Sequence, residues 1–270
     1  RLMSALGSPS PLFLASAADA AGFALEKSVR FNPDDSTYLF KNFTSSGGSN
    51  KKFTLSFWMK LCSFDSTDEI FAASSGTAAT ADTLRIASGR LQVYIGNSNI
   101  LQLDSDHKLR DPSAWYHIVL QANAPTYKIY INGAVAAETS SGPNSFSGWN
   151  QTQTSIGRRQ YIDARYFDGY LADMYFVDAS VLEPTEFGEF DDNGVWQAKN
   201  ASGLTFGTNG FHLFDFANES TVGHDSSGNG NDFTANNISS TAGAGNDVLF
   251  DVPMNGTQSD TGAGGEVSGN

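Results

Sequence analysis

The chain has 270 residues with 16 basic and 29 acidic side chains, one cysteine, 27 glycines and a formal net charge of −13. Its 40% apolar content, with 20 Phe and 4 Trp, is enough for a substantial core and excludes wholesale disorder. The acidity argues against a nucleic-acid partner, the single cysteine excludes a disulfide framework or thiolate cage, and no run of about 18 apolar residues is present to span a membrane.

Residues 1–25 are rich in Ala, Ser and Pro around the short apolar run Leu12-Phe13-Leu14. Ala15-Ser16-Ala17 has the small residues of a leader cleavage site, but Pro9 and Pro11 interrupt the apolar stretch and only Arg1 precedes it. An assembly arm that orders against a neighbouring subunit is the preferred reading. From Ser28 onward the apolar period is two, as in strands with one wet face. Val29 and Phe31, then Tyr38 and Phe40, alternate with polar residues on either side of Pro33-Asp34-Asp35. In residues 52–61, Phe53, Leu55, Phe57 and Met59 alternate with Lys52, Thr54, Ser56 and Trp58. Further strands are expected at 69–73, 83–87, 91–95, 100–103, 115–121 and 127–132. Asn132-Gly133 then gives a two-residue hairpin signal, with 134–138 returning antiparallel. Residues 155–157 and 166–177 complete the series. The best helical candidate is 183–190, one turn of helix after Leu182 with Pro184 near its start.

Many short strands between turn signals predict an all-β fold, an antiparallel sandwich or barrel. The expected organisation is an arm over 1–25, a sandwich over 26–190, a loop-rich extension over 191–254 packed on it, and a flexible linker over 255–270. In the extension only 211–216 and 248–250 read as strands.

Candidate chemistry is sparse. No Glu-x-Asp-x-Glu triplet and no Gly-x-Ser-x-Gly elbow occur, and Glu189, Asp191 and Asp192 read as a solvated loop, so no catalytic residue is assigned. Cys62, where a strand ends, reads as a small core residue. His117, between Tyr116 and Ile118, reads as a hydrogen-bonded sheet histidine. Asp225, Asn229 and Asp232 carry the oxygen donors of a weak calcium site, although an EF-hand is excluded because its twelfth position is Asn236. The competing reading of that segment is an Asx-and-Gly turn held by its own hydrogen bonds. No other cofactor is implied. Trp149, Tyr161 and Tyr166 lie in or beside polar loops where a ring can stack on a sugar face, whereas Trp58 and Trp115 read as ordinary burial.

Several motifs carry a family resemblance. Residues 53–60 (FTLSFWMK), 113–119 (SAWYHIV), 127–133 (YKIYING), and Ile156-Gly157 followed by 167–174 (FDGYLADM) resemble, in order, the strands of laminin-G-like jelly rolls. Residues 206–213 and 225–234 resemble segments recurring in bacteriophage virion proteins, notably those of marine phages. In ordinary laminin-G-like chains a DSSGNGN turn sits near the domain's beginning, whereas here it comes last, so 211–216 is read as a permuted edge strand of the first sandwich, the preferred reading, or as the opening of a second domain. The resemblance implies a concanavalin A-like jelly roll in a non-enzymatic virion structural protein: a tail fibre, spike or capsid appendage, assembled in the host cytoplasm and displayed on the particle. Expected partners are sister subunits in a homo-oligomer, most simply a trimer, other virion proteins and host-surface glycans, with neither nucleic acid nor membrane. A free-standing lectin, with or without calcium, is the alternative, and a glycan hydrolase the third reading.

Overall fold

The computed structural model describes residues 23–64, 67–74, 76, 81–96, 101–146, 148–149, 153–159, 164–216 and 221–253. Arm residues 1–22, the linker 255–270 and Tyr161 lie outside the described residues. The strands are β1 (Ser28–Phe31), β2 (Tyr38–Asn42), β3 (Lys52–Leu61), β4 (Thr67–Ser74), β5 (Asp82–Ala87), β6 (Arg90–Ile95), β7 (Leu101–Asp104), β8 (Tyr116–Asn123), β9 (Thr126–Ile131), β10 (Ala134–Thr139), β11 (Gln153–Ile156) and β12 (Gly169–Asp178). Five shorter strands follow: β13 (Gly188–Phe190), β14 (Trp196–Ala198), β15 (Phe211–Leu213), β16 (Thr234–Asn236) and β17 (Val248–Leu249).

All but β13 and β14, which pair only with each other, form two antiparallel sheets. One runs β10-β9-β8-β3-β12-β1-β17, with β15 also on β12; the other runs β16-β2-β11-β4-β5-β6-β7. The fold is an all-β sandwich of the concanavalin A-like jelly-roll type. The period-two residues meet between the layers: Phe53, Leu55, Phe57 and Met59 of β3 face Phe71, Leu84, Ile86 and Val93 of the opposite sheet in one core cluster. Its aromatic spine runs from Phe53 to Phe176 (5.2 Å between centroids), Phe211 (5.4 Å) and Phe233 (4.8 Å). Such ring pairs add specificity beyond the area they bury.

The extension is woven into both layers. β15 pairs with β12 beside β1, β16 with β2, and β17 with β1. An isolated three-residue strand is unstable alone, so the extension draws its order from the sandwich.

The hairpin at Asn132-Gly133 has φ of 49° and 78°, the two positive values of a type I′ turn. Gly133 also leaves room for the Trp196 indole, which a Cβ there would approach to 2.5 Å.

Two expectations are corrected. The centre of β3 is not wet on its outer side, because Thr54, Ser56 and Trp58 are all buried. The segment after β12 folds over that face, with Leu182 N donating to Thr54 Oγ1 (2.8 Å) and Phe187 packing on Tyr175. The one turn of helix expected within residues 183–190 is present but of the 3-10 type, and the strand that follows it was not expected. A single 3-10 turn spans Pro184–Glu186, and Gly188–Phe190 pairs with β14 in a hairpin that seats Trp196 on the sheet.

Under that hairpin lies His117, fully buried between Trp58 and Trp196. The Trp196 indole N–H donates to Nδ1 at 3.0 Å, and since an indole can only donate, the imidazole proton sits on Nε2, which faces Ser56 Oγ at 2.9 Å. Burial pushes the His117 pKa down to about 3, so the ring is neutral.

Candidate functional site

One end of the sandwich gathers three connections. After β1, Asn32 organises a turn: its amide oxygen accepts from Asp34 N (3.2 Å) and its amide nitrogen donates to Asp35 (2.6 Å), an Asx arrangement that exposes Asp34 and Asp35. After β3 comes Ser63, and Asp68 begins the return in β4. Before β12 the chain passes through Arg165, at φ 57°, into Tyr166, Phe167 and Asp168. Period two sends Phe167 inward against Phe31 (6.1 Å) and leaves Tyr166 and Asp168 toward the rim. The approach requires Gly157, at φ 86°, because a Cβ there would come within 2.4 Å of the Phe31 ring.

Together Arg30, Asn32, Pro33, Asp34, Ser63, Asp68, Arg165, Tyr166 and Asp168 line an open cavity of about 550 Å³. Each of its two arginines is paired with a carboxylate. Arg30 Nη2 meets Asp168 Oδ1 at 2.7 Å while the guanidinium lies over Tyr170 (5.3 Å). Arg165 Nη1 meets Glu69 Oε1 at 3.2 Å and its carbonyl accepts from Glu69 N. Glu69 is fully buried, with Arg159 at 3.7 Å and Arg85 at 3.9 Å from the same oxygen. Burial pushes its pKa up and the arginines oppose that shift. Beside the cavity, Tyr166 and Tyr38 lie 6.3 Å apart and Arg158 caps Tyr38 at 3.6 Å.

The sequence-predicted residues separate. Tyr166, half-buried, lines the cavity. Trp149 does not reach a rim: its ring is fully buried against Phe53 (5.0 Å) and Phe146 (6.3 Å). The polar loop around it is satisfied from inside, since the buried Asp82 carboxylate accepts from Gly148 N and Trp149 N. This corrects the expectation that Trp149 stacks on a sugar, because a core ring has no face to offer. Cys62 is likewise corrected: it is exposed rather than a core residue.

In the DSSGNGND segment, Asp225 Oδ1 accepts from His212 N (2.9 Å) and Ser227 N (3.0 Å), and Oδ2 from Asn231 N (2.7 Å). Asn229 spends its amide on the carbonyls of Gly207 and Gly210, and Asp232 Oδ1 accepts from Asp225 N. That is the geometry of a self-bonded turn. It is anchored further by Ser226 Oγ at 2.8 Å from His212 Nδ1 and by His212 Nε2 at 2.8 Å from Asp173.

Sequence reasoning missed Arg30, Asn32, Asp34, Asp68 and Asp168. The available signal was the Arg158-Arg159 pair with Arg165 in one Gly-flanked loop of an acidic chain, where buried acid is needed to hold so much base.

A family model for the concanavalin A-like lectin/glucanases superfamily matches residues 34–186, more than half of the chain. The chain belongs to that superfamily. No curated protein sequence matches it. Among solved structures, a Bacteroides ovatus protein to which carbohydrate binding has been ascribed aligns with a TM-score of 0.55 at 18% identity, over 79% of this chain and 59% of that one. This chain therefore spans well under two thirds of that protein. The CBM40 of Ruminococcus gnavus IT-sialidase, bound to α2,3-sialyllactose, aligns at TM-score 0.44 and 19% identity over 54% of this chain and 91% of that one. The heptameric SAP-like pentraxin of Limulus polyphemus aligns at 0.43 and 14% over 66% and 98%. At 18% identity the likeness to the Bacteroides protein shows the fold and nothing finer.

Proposed function

We propose that the chain is a non-catalytic, lectin-like jelly-roll module of a phage particle (a tail-fibre, spike or capsid-appendage subunit) that holds host-surface glycan in the cavity beside Tyr166. The observation that carries the glycan reading is the cavity's make-up. An aromatic ring stands beside paired charged groups and an oriented Asn, so hydroxyls meet fixed donors and acceptors while a sugar face meets Tyr166. The carbohydrate binding ascribed to the Bacteroides protein of like fold agrees with it. The particle reading is supported by residues 206–213 and 225–234, the phage-like segments, which are integral to the sandwich through β15 and the turn on His212. In such a subunit the sandwich is the rigid support and its loop-bearing ends make the contacts; oligomerisation as a trimer would multiply weak sites.

The test is glycan-array and calorimetric binding of wild type and Tyr166→Ala. Loss of about tenfold or more in affinity is expected for removal of one stacking ring. Unchanged binding would reject the cavity. Labelling purified particles with antibody to the chain, and light scattering for oligomeric state, test the particle and trimer readings.

A second reading, glycan hydrolysis, is favoured by Asp34, Asp68 and Asp168 lining one cavity, since that chemistry uses two carboxyl groups across a bond. Asp168 is engaged by Arg30, which suits a hydrogen-bond acceptor more than a proton donor. Release of new reducing ends from host polysaccharide would replace the binding reading with this one.

A further inference from the structure

A second cavity, of about 490 Å³, adjoins the first and differs from it in charge. It is lined by Phe64, Ser88, Gly89, Lys108, Leu109 and Arg110. Ser63 lines the first cavity and Phe64, the next residue, the second, so the connection after β3 borders both. The β5–β6 turn forms another wall, with Ser88 and Gly89 at φ 51° and 73° and Gly89 O accepting from Leu109 N at 2.7 Å. That hydrogen bond fixes the segment carrying Lys108 and Arg110.

In the first cavity each cation has a carboxylate partner. In the second, the charged lining residues are Lys108 and Arg110, both exposed and neither in an ion pair or hydrogen bond among the described residues. Of the acids flanking them, Asp111 turns to its own loop, its Oδ1 accepting from Ser113 N (2.8 Å) and Ser113 Oγ (2.6 Å), and the exposed Asp106 forms no ion pair with Lys108 among the described residues. Two cations without an ion pair, lining the same cavity as Phe64 in a chain of net charge −13, offer an anion positive charge that no internal carboxylate has claimed.

We propose that this second cavity is an anion subsite for the same glycan: the ligand is an acidic polysaccharide, with one sugar against Tyr166 and a carboxylate or sulfate ester of a neighbouring residue between Lys108 and Arg110. Lys108 supplies a point charge and Arg110 a planar fork for two anion oxygens. This rests on the glycan reading of the Tyr166 cavity and adds the ligand's charge to it.

The test uses the whole chain with three probes, oligogalacturonate (carboxylate), dextran sulfate (sulfate ester) and neutral dextran, titrated at low and high salt. At least one acidic probe is expected to bind roughly tenfold more tightly than neutral dextran at low salt, the scale of two exposed ion pairs, and to lose that advantage as salt screens them. The Lys108→Gln/Arg110→Gln double variant should erase the advantage and its salt dependence while leaving the melting temperature unchanged, both side chains being exposed. Which probe responds separates carboxylate from sulfate. Equal binding of neutral and acidic probes, no binding of either acidic probe, or an undiminished advantage in the double variant overturns the proposal. Tyr166→Ala separates the two ideas: if it leaves all binding intact while the double variant still loses the acidic advantage, the anion subsite stands and the Tyr166 reading falls.

Discussion

Lowering the pH should destabilise the protein through His117 by an amount that can be worked from its environment. The folded ring stays neutral down to about pH 3, whereas in the unfolded chain it takes up a proton near 6.5. Between those values the unfolded state binds the extra proton. The contribution is therefore complete above pH 6.5, falls as pH drops through that value, and continues to fall toward 3. One proton corresponds to about 1.4 kcal/mol per pH unit, so acidification from 6.5 to 5 costs about 2 kcal/mol through this group. That is a large share of the 5–15 kcal/mol typical of a domain. Urea unfolding at pH 7, 6, 5.5 and 5 measures it, with His117→Gln as the control, since Gln can accept from Trp196 and donate to Ser56 without titrating. The variant will be less stable at pH 7, having lost the stacking on Trp58 and Trp196. Its stability should fall less steeply below 6.5, by one proton's slope. Carboxylates titrate in both proteins and cancel in the difference. Equal slopes for the two proteins would refute the buried, neutral assignment.

Three further outcomes follow from packing. Trp149→Ala should cost about 3–5 kcal/mol, as truncation of a buried ring does, and leave glycan affinity of the folded fraction unchanged, read by thermal melts beside calorimetry. Gly157→Ala should cost roughly 2–5 kcal/mol by combining a left-handed residue with a clash on Phe31; a melt within a degree of wild type would contradict the close approach. Asp225→Ala strands three backbone N–H donors and should cost about 3 kcal/mol, while millimolar calcium should leave the wild-type melting temperature unmoved. A calcium-dependent rise of several degrees would return Asp225, Asn229 and Asp232 to the role of ligands.

What could be read from sequence was whatever a few neighbouring residues decide. The Asn132-Gly133 hairpin needs two positive φ values at adjacent positions, and the inward set of β3 needs only alternation. Trp149 shows the limit. Its neighbours are polar, and what buries it is Phe53 and an Asp82 carboxylate 67 positions away in the chain. The same limit hid the outer cover of β3, because nothing near Thr54 announces Leu182. Residues 183–190 carry a helix-like start at Pro184, but the strand at Gly188–Phe190 is dictated by its pairing with Trp196. The rim cavity is the extreme case. Arg30 and Asp168 are 138 positions apart, and neither belongs to a local motif until the sheet order brings β1 beside β12.

The acidity of the chain has a use in the fold, which bears on how surface charge should be interpreted. Asp82 accepts from Gly96 N and Trp149 N; Asp178 from Gly48 N and Asn209 N; Asp191 from Asn193 N and Val195 N; Asp225 from three backbone donors. Each ties down an irregular segment whose N–H groups have no strand to pair with, and a charged acceptor does this more strongly than a neutral one. A sandwich with long polar connections needs many such ties, so carboxylates accumulate for structural reasons while their charge is spent locally on peptide dipoles. Net charge is then a poor guide to what the protein attracts. The more informative quantity is which charges both lack an internal partner and line a cavity, and Lys108 and Arg110 meet both conditions.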